Sequence, residues 1–272
     1  MKIEKSFVLL FLMATVMTLS GCTQQKDAMS ILANSYDKLD YLETYNITYH
    51  MIIEGSPIGT TLNMESFTEI AKYGEYTRAL ITMKDYLSAG VDYEFENYEI
   101  PEGIVSCVKT MASDRNEYAC LEADSESITI FDPSSRGMHR DFDELKKYID
   151  DGALVMTYEG EEKIIGRSCQ SFLFEVDFDV LSKTDENFAV SGFDLETMIP
   201  TYSIEYCFDN QYGIPLKMRV DITVIATEPE ENGSLKQASM SSYFTATDFN
   251  LNVNRDVLDL PIPYEEVQWI QK

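Results

Sequence analysis

YSIEYCFDNQYGIPLKMRVDITV, residues 202–224, is the stretch on which the reading of this chain turns. Tyr202, Ile204, Tyr206 and Phe208 share one parity, with Ser203, Glu205 and Cys207 between them. Asp209 to Gly213 has the composition of a turn, and beyond it Ile214, Leu216, Met218, Val220, Ile222 and Val224 alternate again. Period-two alternation on both sides of a turn predicts a long antiparallel hairpin with one apolar face.

The same chemistry extends outward. Phe172, Phe174, Val176 and Phe178 alternate with mostly polar partners, after shorter strand-like runs at Leu154–Tyr158 and Glu162–Ile165. Near the start, Tyr45, Ile47, Tyr49, Met51 and Ile53 alternate with Asn46, Thr48, His50 and Ile52, which is strand chemistry. Gly55, Pro57 and Gly59 turn the chain into a second strand, with Leu62, Met64 and Ile70 on one parity, and Tyr76–Met83 forms a third. Residues 84–103 read as a tyrosine-rich loop, Ser127–Phe131 as a short strand and Ser239–Phe249 as the last strand. Helical spacing appears at Gln24–Leu42, where Ala28, Ile31, Leu32, Ser35, Leu39 and Leu42 share a face, and again at Asp143–Ile149. Residues 181–200 break the rhythm and read as an apolar flap or a short helix. No repeat of fixed period and no long linker divides the chain, so residues 22–272 are expected to form one domain.

The N-terminal boundary comes from a different signal. Lys2 and Lys5 precede the apolar run Phe7–Ser20, which is too short to span a bilayer and has the anatomy of an export signal. Leu19-Ser20-Gly21-Cys22 resembles the lipobox of bacterial and archaeal lipoproteins. That resemblance implies a signal peptide over residues 1–21, cleavage between Gly21 and Cys22, and lipid attached to the Cys22 thiol. Two chains on one cysteine hold a protein stably at a membrane. The mature chain is then expected outside the cytoplasm, tethered to the outer face of the cell membrane or within the envelope.

Composition narrows the partners. The chain has 47 acidic against 21 basic residues and a net charge of −26, which repels nucleic acid and anionic headgroups. Of its five cysteines, Cys107, Cys120, Cys169 and Cys207 lie beyond Cys22, an even set that in an exported chain favours disulfides over three possible connectivities. VSCVK and YACLE, joined by TMASDRNE, place Cys107 opposite Cys120 in a hairpin, and Cys169 and Cys207 sit in strand-like stretches that can neighbour one another. The pairs 107–120 and 169–207 are expected. Neither the close cysteine pairs of thiolate zinc sites nor a calcium-loop spacing is present, and His50 and His139 have no spacing that ties them to a cysteine. No phosphate loop, nucleophile elbow or zinc-protease motif occurs, so no enzyme, metal or cofactor is expected. Asn46 and Asn232 match the N-glycosylation pattern, with Asn232 in the more loop-like setting.

The order of parts resembles the lipoprotein-carrier superfamily, the LolA/LolB-like fold. The resemblance is carried by ILANSYDKLDYLETYNITYHMIIEG, GRSCQSFLFEV, CFDNQYGIPLKMRV, YFTATDFNLNVN and DLPIPY, and it covers nearly all of residues 22–272. It implies a β-rich α+β fold, a large curved antiparallel sheet forming a half-barrel with a few helices on its concave face. It also implies an apolar cavity for a lipid or acylated ligand, with Tyr45, Tyr49, Met51, Phe174, Tyr206, Met218 and Val220 as candidate lining residues, since Met and aromatic side chains adapt to varied apolar shapes. A second reading keeps the fold but fills the core, making an envelope sensor or protein-interaction module. A solute-binding lipoprotein of a transporter is disfavoured because the chain lacks alternating βα units.

Overall fold

A computed structural model describes residues 27–56, 62–84, 93–110, 117–122, 142–184, 198–229 and 235–267. A helix over residues 27–40, α1, leads directly into β1 (Thr44–Ser56). Then come β2 (Leu62–Tyr73), β3 (Tyr76–Lys84), β4 (Tyr93–Ile100), β5 (Gly103–Thr110) and β6 (Glu117–Glu122). After α2 (Phe142–Asp150), β7 (Leu154–Ile164) and β8 (Arg167–Val176) follow, then α3 (Phe178–Thr184), β9 (Met198–Asp209), β10 (Pro215–Pro229) and β11 (Leu235–Asn250). Two 3-10 turns, Arg255–Leu258 and Tyr264–Glu266, come after the last strand.

All eleven strands join one open antiparallel sheet in the order β6-β5-β4-β3-β2-β1-β11-β10-β9-β8-β7. The chain walks outward from β1 to β6, crosses to the opposite edge, and walks back from β7 to β11. The first and last strands therefore meet in the middle, where Ile47 faces Phe249 and Met51 faces Phe244, with a bulge at Thr48/Tyr49. The fold is the β-rich α+β architecture expected, with the sheet unclosed.

One face of the sheet carries α1 and α2. In β1 the alternation is nearly perfect: Tyr45, Ile47, Tyr49 and Met51 are buried, while Asn46, Thr48 and His50 are half-buried on the other side. Cross-strand pairs keep Thr68 and Ile81 on the Tyr49 face, and place Met218 opposite Tyr206 and Val220 opposite Ile204 on the same face. Ala28 and Leu32 of α1 and Leu145 of α2 pack there with Phe172, Phe174, Tyr206 and Phe208. Leu39 and Leu42, toward the end of α1 and just past it, join Tyr45, Ile47 and Ile214.

The turn between β9 and β10 holds α1 in place. Asp209 is buried, and its carboxylate accepts from Arg167 Nε (2.7 Å) and Nη2 (3.0 Å) and from the backbone amides of Gln211 (2.9 Å) and Tyr212 (2.7 Å). Lys38 Nζ donates to the Asn210 carbonyl at 2.6 Å. Gly213, with φ +71°, lets the α1 backbone approach so closely that a Cβ there would lie 1.9 Å from the Ser35 carbonyl oxygen.

The structure corrects parts of the sequence reading. Residues 84–103 are not all loop: Tyr93–Ile100 is β4, disguised by Glu94, Glu96 and Glu99. Glu96 is nonetheless buried, accepting from Arg78 Nε (3.3 Å) and from the hydroxyl of Tyr98. Leu154–Tyr158 and Glu162–Ile165 are one strand, β7, continued through a bulge at Tyr158/Gly160. The irregular stretch 181–200 contributes the end of α3 and the start of β9. Cys22, residues 24–26, Ser127–Phe131, His139 and Asn232 lie outside the described residues.

Gly213→Ala is expected to destabilise the fold by about 2 kcal/mol or more, because it adds positive-φ strain to a backbone collision. The denaturant midpoint of the variant, compared with an alanine at the open, equally positive-φ Gly152, separates the collision from the strain.

Candidate functional site

The candidate lining residues fall on the helix-bearing face. Tyr45, Tyr49 and Met51 belong to the cluster at the central strands, and Phe174 and Tyr206 to the cluster under α1 and α2. Met218 is packed against both clusters, and Val220 against the second. Tyr45, Tyr49, Met51, Phe174 and Tyr206 are buried, whereas Met218 and Val220 are half-buried. The five buried ones therefore serve as floor and packing, while the last two are partly open.

Beneath α1 the floor is aromatic. The Tyr36 ring lies 5.7 Å from both Phe142 and Phe208, Tyr206 stacks on Phe208 at 5.4 Å, and Phe174 meets Tyr206 edge-on at 6.2 Å. Burial pushes the Tyr206 hydroxyl up to about 12. Burial likewise raises Tyr36, helped by Tyr206 and Asp40, and raises Tyr202, helped by Tyr206.

Away from α1 and α2 the same face continues as a methionine-rich surface that sequence reasoning did not assign. Met64 pairs with Ile53, Met83 lies opposite Ser66, and Met240 lies opposite Ile222. Met64, Met83, Ile53, Ile222 and Val224 are half-buried, and Met240 is exposed. The signal was available in the parity of LNMESFTEI, where Leu62, Met64, Ser66, Thr68 and Ile70 all share a face. From Met218 to Val224 the surface runs about 20 Å along β10, at about 3.3 Å per residue.

The opposite face is polar and ion-paired. Lys217 bridges Glu162 and Glu205, Arg219 pairs with Asp221, and His50 meets Glu65 at 2.7 Å. Asn46 is on this side, its amide donating to Glu69 at 3.1 Å, so the side chain is already engaged. Both disulfides are the expected pairs: Cys107–Cys120 joins directly opposed residues of β5 and β6 on this face, and Cys169–Cys207 links β8 and β9 diagonally, fully buried in the cluster at the central strands. Cys107 and Cys120 pack with Tyr98, Val105 and Val267, so the C-terminal segment covers this part of the outer face. Among the described residues no group of three or more His, Cys, Asp or Glu side chains is arranged to hold a metal, and no helix is long and apolar enough to cross a membrane.

No protein-family model matches the chain. No curated protein matches it either. Solved structures share its outline. The chain is similar to LprF from Mycobacterium bovis at 12% identity and TM-score 0.42, over 88% of this chain and 98% of that one. It is similar to the lipoprotein LppX from Mycobacterium tuberculosis at 13% identity and TM-score 0.41, over 85% and 97%. A LolA superfamily protein from Nitrosomonas europaea aligns at 8% identity and TM-score 0.30, over 85% and 96%. The likeness is one of outline. The open antiparallel sheet itself rests on the strand order and register above.

Tyr36, Tyr202 and Tyr206 give the fold an alkaline limit. Because the folded state holds these hydroxyls above the ordinary value of about 10, their contribution is intact below that pH and is lost as pH rises through it toward the folded values. Tyrosinate absorbance followed with circular dichroism is expected to show a late fraction that appears together with unfolding.

Proposed function

We propose that this chain is an extracytoplasmic lipoprotein, anchored through lipid on Cys22, whose helix-bearing sheet face receives a lipid or acylated ligand without catalysing a reaction. The observation that carries the reading is the continuation of that face beyond α1 and α2 as half-buried and exposed methionine and aliphatic side chains. A filled core would bury such residues, whereas unbranched, polarizable Met side chains suit a surface that takes up flexible chains. The length is adequate: one leaflet of a bilayer holds its chains within about 15 Å, and the strip along β10 exceeds this.

Two further features fit. Two disulfides suit an oxidising compartment outside the cytoplasm. On the lipobox resemblance Cys22 lies five positions before the first described residue of α1, which supports a domain held close to its anchor. A ligand face so near a membrane has lipid within reach.

The whole protein, extracted from its producing membranes in mild detergent and separated from free micelles, is expected to carry about one non-covalent lipid per chain, readable by native mass spectrometry. The tryptic peptide beginning at Cys22 is expected to bear covalent lipid, and Cys22→Ser to release the protein from the membrane fraction. Preparations free of non-covalent lipid, and unable to take any up, would favour the sensor or interaction module with a filled core.

A further inference from the structure

The helix-bearing face holds two polar groups that its packing does not explain. Ser66 and Thr68 of β2 are each 1% exposed, and among the described residues neither Ser66 Oγ nor Thr68 Oγ1 has a hydrogen-bond partner. Register fixes their neighbours. Thr68 lies between Tyr49 and Ile81, and Ser66 between Met51 and Met83. Of these, Tyr49 has the only hydroxyl, and it donates to the Pro215 carbonyl at 2.6 Å.

An orphaned buried hydroxyl is destabilising relative to a paired one, because it gives up its water without gaining a partner. Alanine and valine have nearly the same shapes as serine and threonine, and in a core whose only task is to pack they would avoid that cost. Serine and threonine at these positions therefore make sense when something other than this chain supplies the partner.

We infer that Ser66 and Thr68 are the polar contact of the lipid site, and that the ligand is an ester-bearing lipid, such as a diacylglycerol, instead of a bare hydrocarbon chain. This rests on the lipid-binding reading above and narrows it. Being two residues apart on one strand, the hydroxyls are separated by about 7 Å, a spacing that serves two oxygen functions several bonds apart. Each hydroxyl donates to an ester carbonyl oxygen, while Met51, Met64 and Met83 around them accommodate the adjoining chains. Both hydroxyls are sealed from solvent, so the ligand reaches them by displacing side chains that now pack against them.

The test uses the whole protein, immobilised through a C-terminal tag and washed free of micelles, with radiolabelled dioleoylglycerol and radiolabelled hexadecane as probes. The double variant Ser66→Ala/Thr68→Val is expected to retain about tenfold less dioleoylglycerol, the effect of two lost neutral hydrogen bonds, and as much hexadecane as the parent. Its thermal midpoint should be no lower than the parent's, and Thr68→Ser, which keeps a hydroxyl, should hold dioleoylglycerol like the parent. Unchanged dioleoylglycerol retention in the double variant overturns the inference and leaves lipid binding standing. Equal loss of both probes overturns it as well, because that marks a change of shape and not of polarity. If the parent itself retains neither probe, the lipid-binding reading falls first.

Discussion

The carboxylate of Asp209 is the point on which the structure depends. It is buried at the β9–β10 turn, and its charge is offset by a two-point contact with Arg167 and by two backbone amides. Taking away Arg167, itself half-buried, would leave the buried carboxylate without its counter-charge, which is strongly destabilising. The Arg167 guanidinium also lies 4.8 Å from the Phe249 ring and 5.1 Å from the Tyr212 ring. One ionic contact therefore ties β8 to the β9–β10 turn and to the end of β11. The same turn presents Gly213 and Asn210 to α1, so the helix docks against a backbone whose shape the carboxylate has fixed.

Where α1 docks determines what is left uncovered. With Ser35 against Gly213 and Lys38 on Asn210, α1 packs over the β7–β10 aromatic floor and reaches the central strands only through Leu39 and Leu42. The sheet is wider than the two clusters joined by these helices, and its continuation toward β2–β4 bears Met64, Met83 and Phe95, half-buried. An open sheet whose first and last strands pair at the centre has no need of a filled face at both ends. Two disulfides hold neighbouring strands together, β5 to β6 on the opposite face and β8 to β9 within the buried cluster at the central strands. Each closes a loop of the length for which about 3 kcal/mol or more of stabilisation is typical.

Much of this was legible in the residues because period-two alternation survives wherever one face is apolar. β1, β9 and β10 stand out on Tyr, Ile, Val and Met positions alone, and the turn composition of Asp209–Gly213 gives the hairpin its register. β4 was hidden because its outer-face residue Glu96 is a buried charge satisfied by Arg78 and Tyr98, partners that only the tertiary structure brings together. The bulge at Tyr158/Gly160 split β7 for a related reason, since one inserted residue reverses the parity on which the reading relies. The candidate lining residues rest on the adaptable shape of aromatic and Met side chains, a criterion that the buried floor meets as well as an open surface does. The partly open methionines, and the orphaned pair Ser66 and Thr68 among them, required knowing which strands adjoin β2.

These features make the chain a scaffold whose ionic turn sets a helix to one side and leaves a soft apolar wall, the surface proposed to receive a ligand. The most direct measurement is photocrosslinking of the whole protein with a diacylglycerol carrying a photoreactive group in its acyl chain, followed by peptide mapping. The account predicts labels concentrated on Met64, Met83, Met218, Val220 and Met240, residues from four strands that share only a sheet face. Labels on the ion-paired face around Lys217 and Arg219, or none on the protein at all, would contradict it.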